Sequence, residues 1–234
     1  MVVNIELVIA FDRVSHTFLL NAMARYGFDL SFIKWVKACI SMPWITPLVN
    51  GRAAGFFQAT RELRQGCSLS PLLYAIQASV LSLQLEQARR DQDLIGISMA
   101  WGTKNINHAQ FADDTILHGG ASQLIAKRFK VELDYYCQAL GSKLNLRKSS
   151  IYSWNINPIE MSGISRILEI EGVTIWNWFK YLGIPIFKNK PKCSEWNPLM
   201  EKLKNKIISW GVVWLYLAGK LVIIKSVLNS YLLY

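Results

Sequence analysis

Val2 to Ala10 is a mostly apolar run, interrupted by Asn4 and Glu6, and reads as a buried strand. The apolar period then changes from two to 3.6. Phe18, Leu19, Ala22 and Met23 fall on one face of a helix that runs from a cap at Ser15 to about Arg25. Ser31 is expected to cap a second helix ending near Ile40. Trp44 to Val49 and Ala53 to Thr60 flank Asn50-Gly51, the residue pair a type I′ turn favours, and so predict a hairpin. Leu69-Ser70-Pro71 opens a long helix to about Arg90, with Ser70 as its cap and Pro71 in the first helical position. Two strands, near Ile106 to Phe111 and Thr115 to His118, bracket Asp113-Asp114. A helix over Gln123 to Leu140 stops at Gly141, where a left-handed residue suits a helix end. Short β segments follow near Lys143 to Tyr152, Gly172 to Trp176 and Tyr181 to Ile186. Two helices, about Glu195 to Tyr216 and Gly219 to Leu232, close the chain. On the first of these, Trp196, Leu199, Leu203, Ile207, Trp210 and Trp214 recur at helical spacing and read as a packing stripe. Phe187 to Ser194, with three lysines and Pro191, is the best boundary. The pattern is that of an α+β domain followed by a helical lobe.

Composition adds a partner to this picture. With 52% apolar and 18% charged residues among 234, the chain can bury a sizeable core. Its mean hydropathy of +0.20 points to apolar surface that a partner or another segment should cover. The oily stretches Gly211 to Gly219 and Leu221 to Ile224 fall short of the roughly 20 residues a membrane helix needs, and Met1 to Ala10 lacks a basic signal-peptide start. The net charge is +10, and Phe179 to Tyr234 holds nine lysines against two acids, 9 − 2 = +7. A basic lobe of this kind suits a nucleic-acid backbone, while a solvated lysine surface explains it equally well. Cys39, Cys67, Cys137 and Cys193 lie far apart, which argues against a zinc site or a disulfide framework and for a reducing, intracellular location, nucleus or cytoplasm.

Candidate chemistry centres on Phe111-Ala112-Asp113-Asp114-Thr115. Adjacent carboxylates repel and resist desolvation unless a cation compensates them. For a bare Asp-Asp, a turn-capping role is the simpler reading. A hard divalent ion is the alternative, since Mg²⁺ takes carboxylate oxygens at about 2.0–2.1 Å and leaves positions open for phosphate. Such a site needs a further acid from another strand.

The wider sequence resembles the LINE-type, non-LTR retrotransposon reverse transcriptases, with six motifs in the family's order. Ile5-Glu6-Leu7-Val8-Ile9-Ala10-Phe11-Asp12 looks like the first palm motif. Val49-Asn50-Gly51 with Arg61-Glu62-Leu63-Arg64-Gln65-Gly66-Cys67-Ser68-Leu69-Ser70-Pro71 looks like the second, and Phe111 to Asp114 like the third. Gly141-Ser142-Lys143-Leu144-Asn145-Leu146-Arg147-Lys148-Ser149 resembles the fourth, Tyr181-Leu182-Gly183-Ile184-Pro185 the primer grip, and Trp210 to Ser226 the opening of the thumb.

The resemblance implies a right-hand polymerase palm, an antiparallel sheet packed on helices, over residues 1–186. A basic connector over 187–194 and the start of a helical thumb over 195–234 would follow. It implies RNA-directed DNA polymerisation on an RNA template and DNA primer with dNTP substrates. Glu6, Asp113 and Asp114 would be the catalytic carboxylates and the ligands of two Mg²⁺ ions. Phe11 would be the gate against the sugar 2′ position, Gln65 and Gly66 the loop beneath the incoming nucleotide, and Lys148 a lysine near its triphosphate. Arg64, Tyr181, Leu182 and Gly183, with Lys202, Lys206, Lys220 and Lys225, would meet nucleic acid. Phe11 is equally readable as a core aromatic, and Lys148 as a solvated lysine.

Departures from the family pattern gather near this implied site. Glu6 replaces an aspartate and moves the carboxylate by about one C–C bond. Ile9 stands where a lysine is usual, Glu62 where a glycine is usual, and Cys67-Ser68 in place of Asp-Pro. Only five residues precede Glu6, where the family carries its fingers, so a fingers-poor palm covered by another segment or polypeptide is expected. These departures lead to two expectations: an impaired polymerase, or a non-catalytic nucleic-acid-binding remnant that keeps the basic thumb.

Overall fold

Strand β1 (Val2–Glu6) sits at the centre of the sheet, and its sequence explains why: Val3 and Ile5 are fully buried, and Val2 on the opposite face is nearly so. The strand ends at Glu6, not at Ala10; Leu7 adds one further antiparallel bridge, to Leu144. The computed structural model describes residues 1–8, 11–41, 44–58, 61–98, 100–209 and 216–228. Ile9 and Ala10 lie outside them.

Helix α1 (His16–Arg25) follows, capped by the Ser15 hydroxyl accepting from the Phe18 N–H at 3.3 Å. Helix α2 (Leu30–Ile40) is capped by Asp29, whose carboxylate accepts from the Ser31 N–H at 2.7 Å, and not by Ser31 as expected. A carboxylate at the N-cap is also favoured by the helix dipole. The hairpin has two steps. Strands β2 (Trp44–Ile45) and β5 (Phe57–Gln58) pair outside β3 (Leu48–Val49) and β4 (Arg52–Ala53), which turn at Asn50-Gly51 with φ of 51° and 76°. Helix α3 (Ser70–Arg90) has Pro71 in its first turn, but Ser70 is not its cap: that hydroxyl donates to the Arg64 carbonyl at 2.7 Å instead.

Strands β6 (His108–Phe111) and β7 (Asp114–His118) make a tight hairpin, and helix α4 (Gln123–Leu140) ends at Gly141 with φ of 69°, as expected. Strand β8 (Ser150–Tyr152) is shorter than the expected Lys143–Tyr152 segment. Helix α5 (Pro158–Leu168) has no counterpart in the sequence reading. Asn157 caps it, Pro158 opens it, and Met161, Ile164 and Leu168 bury one face. Strand β9 (Glu171–Val173) completes the sheet, in the order β6-β7-β1-β8-β9. Its pairs are antiparallel, as the palm expectation has them, with one parallel pair, β8·β9, at the edge. A parallel pair needs a helical crossover, and α5 supplies it.

The core joins this sheet to α1, α3, α4 and α5 through Leu19, Leu81, Leu85, Phe129, Leu133, Ile164 and their neighbours. Each such side chain contributes about 1.5–3 kcal/mol by leaving water. Apolar surface also stays exposed, as the hydropathy suggested: Trp35 and Trp44 are each 68% exposed and Phe56 72%.

The chain forms two compact units, Met1–Thr174 and Ile175–Tyr234. The second holds the hairpin of β10 (Trp178–Tyr181) and β11 (Ile184–Phe187), a 3-10 turn over Cys193–Trp196, helix α6 (Asn197–Ser209), and helix α7 (Leu217–Ile223) running into a π-helical turn over Ile224–Leu228. Trp196, Leu199, Leu203 and Ile207 are the half-buried positions of this stretch, so the stripe is covered but not enclosed. Trp210 and Trp214 lie outside the described residues.

Candidate active site

Three stretches of chain are hydrogen-bonded to β1 or to the residues that follow it, up to His16. Register brings the first. Glu6 is the cross-strand partner of Asp114 on β7, and Asp114 in turn faces Phe111 across the β6–β7 hairpin. Asp113 therefore sits in a two-residue loop with Ala112, whose φ of 50° is left-handed. A tight turn places both carboxylates at one end of the sheet, beside the end of β1.

The second stretch is 143–149. The Val8 N–H donates to the Lys143 carbonyl at 2.9 Å and the Asn145 N–H to the Glu6 carbonyl at 2.8 Å. The Glu6 N–H donates to the Ser149 hydroxyl at 3.3 Å, and that hydroxyl donates to the Asn145 carbonyl at 2.9 Å. This lacing fixes the backbone of Lys148, and its ammonium reaches Glu6 Oε1 at 2.5 Å.

The third is the loop before α3. The Leu63 N–H donates to the Phe11 carbonyl at 2.9 Å, and His16 Nε2 donates to the Glu62 carbonyl at 2.8 Å. Gln65 Nε2 donates to Asp12 Oδ1 at 3.1 Å. Gly66, with φ of 84°, leaves open space where a side chain would begin, so another molecule can approach its backbone closely. Arg64 is exposed on the same loop. Glu62 itself has φ of 105°, a conformation suited to the glycine the resemblance expects there.

Phe11 is half-buried and stacks on Tyr74 with ring centroids 4.5 Å apart and planes at 18°. Tyr74 escaped the sequence reading because an aromatic in a helix interior looks like core. Its hydroxyl is buried without a hydrogen-bond partner among the described residues, and burial, then Asp113 and Asp114, push its pKa well above the ordinary tyrosine range. It stays a neutral donor. Asp12 was also missed; only its bond to Gln65 distinguishes it.

Electrostatics ties the carboxylates together. Burial first, then the charges of Asp113 and Glu6, raise the Asp114 pKa, and Lys148 works against them. The hydrogen bond to Glu6, reinforced by that charge and those of Asp113 and Asp114, raises the Lys148 pKa. The site thus carries more negative charge than Lys148 offsets. Three oxygen donors with this excess fit a hard divalent ion in chemistry. In arrangement they are not gathered: among the described residues, no three His, Cys, Asp or Glu side chains stand close enough to enclose one.

In the second unit, Tyr181 pairs with Ile184 across a turn in which Leu182 and Gly183 have φ of 47° and 87°. Gly183 and Lys202 line one cleft of about 490 Å³ with Trp178, Lys180 and Leu199, between the hairpin and α6. Lys206 is exposed on α6, Lys220 on α7, and Lys225 in the π-helical turn.

A sheet packed on helices, with paired carboxylates at a hairpin beside its central strand, is the architecture of a polymerase palm. Residues 1–186 match the family model for reverse transcriptase (RNA-dependent DNA polymerase), and the chain belongs to that family. The "Retrovirus-related Pol polyprotein from type-1 retrotransposable element R2" of Popillia japonica is 28% identical over 189 residues, 78% of this chain and 30% of that protein. The "Transposon TX1 uncharacterized 149 kDa protein" of Xenopus laevis is 27% identical over 142 residues, 60% of this chain and 10% of that one. The chain therefore spans less than a third of the length of either of these relatives. The solved structure of apo telomerase from Candida tropicalis truncated from its C-terminal domain superposes with a TM-score of 0.55 at 14% identity, covering 80% of this chain and 33% of that one. Nucleotidyl transfer is the family's general reaction, and its members use divalent metal ions and bind RNA templates. No helix among the described residues is long and apolar enough to cross a membrane.

Proposed function

We propose that this chain is the palm and the first part of the thumb of an RNA-directed DNA polymerase, with residues 1–186 as palm, 187–194 as connector and 195–234 as thumb, and that its own activity is weak. The observation carrying this reading is the register pair Glu6 and Asp114, with Asp113 in the adjoining turn. Two Mg²⁺ ions, when bound, supply activation of the primer 3′-hydroxyl and neutralisation of the phosphate charge. Glu6, Asp113 and Asp114 are the residues that would hold them. Phe11, backed by Tyr74, would crowd the sugar 2′ position of a dNTP. Gln65, held by Asp12, and the open backbone of Gly66 would lie beneath the nucleotide. Tyr181, Leu182, Gly183 and Lys202 would hold the primer end, and Arg64 and the remaining thumb lysines would meet phosphates. Weak activity follows from Glu6, whose extra methylene displaces one ligand in a geometry that tolerates little error.

Primer extension on an RNA template tests this directly. We expect faint Mg²⁺-dependent product, abolished by Asp113→Asn and raised by up to about 10²-fold by Glu6→Asp. No Mg²⁺-dependent product from either the unaltered chain or Glu6→Asp overturns the catalytic reading. The Lys148–Glu6 ion pair favours the second reading, a non-catalytic nucleic-acid-binding protein. That reading expects salt-sensitive RNA binding indifferent to Asp113→Asn.

A further inference from the structure

We propose that a groove between α1, α3 and α4 in the first unit docks an acidic amphipathic helix of another protein. None of the residues assigned to the candidate active site lines this groove, so the proposal stands or falls independently of the polymerase reading.

Three observations carry it. The first is shape. The groove encloses about 670 Å³, and each helix lines it with residues at helical spacing: Phe18 and Ala22 from α1, Val80 and Leu83 from α3, Tyr135 and Ala139 from α4. The α3 wall runs from Val80 to Arg90, about 15 Å or three helical turns. Its sides are held in place. Phe18 meets Tyr136 edge-on with ring centroids 6.4 Å apart. The Tyr26 hydroxyl donates to Ser79 Oγ at 2.7 Å, because the Ser79 proton is already given to the Ile76 carbonyl. The second observation is exposed apolar surface: Leu83 is 55% exposed and Tyr135 66%. Large apolar side chains left in water around one cleft mark an interaction site.

The third observation is charge, and it selects the occupant. Arg25 and Arg90 stand in the lining with one acid, Glu86. That acid is already compensated: Arg89 holds it at 2.6 Å, with Arg90 and Lys104 at 3.5 and 3.7 Å. Arg25 has no ion pair among the described residues. The complementary surface is therefore apolar along one stripe and acidic beside it. A helix with apolar anchors one turn apart meets both requirements, since its stripe fits a groove bounded by helices and its flanking carboxylates reach the two arginines. A second copy of this chain fits poorly, because the chain carries a net charge of +10. Nucleic acid fits poorly too, because the lysine-rich stretch Phe179 to Tyr234 lies outside the groove and two arginines offer few phosphate contacts.

Two fluorescein-labelled peptides of about 20 residues, long enough to form a helix, test this against the whole chain. Both carry leucines at i, i+4, i+7 and i+11; one has glutamates on its other face and the second has lysines. Fluorescence anisotropy should show saturable binding of the glutamate peptide and at least about tenfold weaker binding of the lysine peptide. Arg25→Glu should weaken the glutamate peptide about fivefold and strengthen the lysine peptide. Leu83→Glu and Tyr135→Glu should each weaken the glutamate peptide about tenfold, because each puts a charge into the apolar contact. All three side chains are exposed, so the variants should keep their fold, which circular dichroism checks; two apolar variants guard against the loss of either. The proposal is overturned if the glutamate peptide does not bind saturably, if both peptides bind alike, or if none of the variants alters binding. Displacement of the glutamate peptide by single-stranded RNA, abolished by Arg25→Glu, assigns the groove to nucleic acid and overturns it as well. A dimer in sedimentation that Leu83→Glu dissolves does the same in favour of a second copy.

Discussion

Glu62 shows how a single residue can sit badly in a backbone that holds it well. Its N–H and carbonyl are both engaged, with the Val14 carbonyl and His16 Nε2, so the loop keeps its shape independently of the side chain. The φ of 105° is costly for any residue with a Cβ, about 1–3 kcal/mol. Glu62→Gly should therefore stabilise the protein by about 1 kcal/mol, less than the full strain because glycine also gains freedom in the unfolded chain. For a chain of this size the melting temperature should rise by about 2–4 °C. A lower melting temperature for Glu62→Gly would mean the side chain makes a stabilising contact that outweighs the strain. The departure from glycine was visible in the sequence, but its cost was not, because the cost depends on a dihedral that neighbouring hydrogen bonds impose. Asp12 and Tyr74 were hidden for a related reason. One is defined by a bond to Gln65 and the other by a stack on Phe11, and both partners are distant in sequence.

At the level of elements, strong local signals were legible and weak ones were not. Ser15 and Gly141 mark helix ends by chemistry that acts within one turn, and α1 and α4 have the expected bounds. Ser31 and Ser70 misled because a better acceptor, Asp29, lay two residues earlier in one case, and a tertiary acceptor, the Arg64 carbonyl, competed in the other. Helix α5 was missed although Asn157-Pro158 is a sound start signal, and its interior Gly163 does not end it. The helix continues because Met161, Ile164 and Leu168 bury their face in the core, and tertiary packing outweighs a cost of about 1 kcal/mol for one interior glycine. The start signal should be measurable: Asn157→Ala removes the side-chain acceptor of the Ile159 N–H and should cost about 1 kcal/mol. Thermal unfolding should shift down by about 2–4 °C. An unshifted transition would show that packing alone sets where α5 begins.

Across the whole molecule, the family was readable because its motifs are local strings in a fixed order, whereas the division at Thr174–Ile175 depends on which elements pack together. The practical consequence concerns charge. Phe179 to Tyr234 carries the +7 excess, and this stretch lies within the second unit. If the unit binds single-stranded RNA through its backbone, each phosphate contact releases condensed counterions, and the logarithm of affinity falls with the logarithm of salt by about 0.7 per contact. Replacing Lys202, Lys206, Lys220 and Lys225 by alanine together should flatten that slope by about 3 if all four meet phosphates, and weaken binding at low salt for every sequence alike. Asp113→Asn, which alters the first unit alone, should leave the slope unchanged, because its carboxylate releases no counterion from RNA. A quadruple variant with the original slope would show that the lysines are a solvated surface and that RNA is held elsewhere. A flattened slope together with undiminished affinity at low salt would be self-contradictory under counterion release, so slope and intercept check one another in a single titration series.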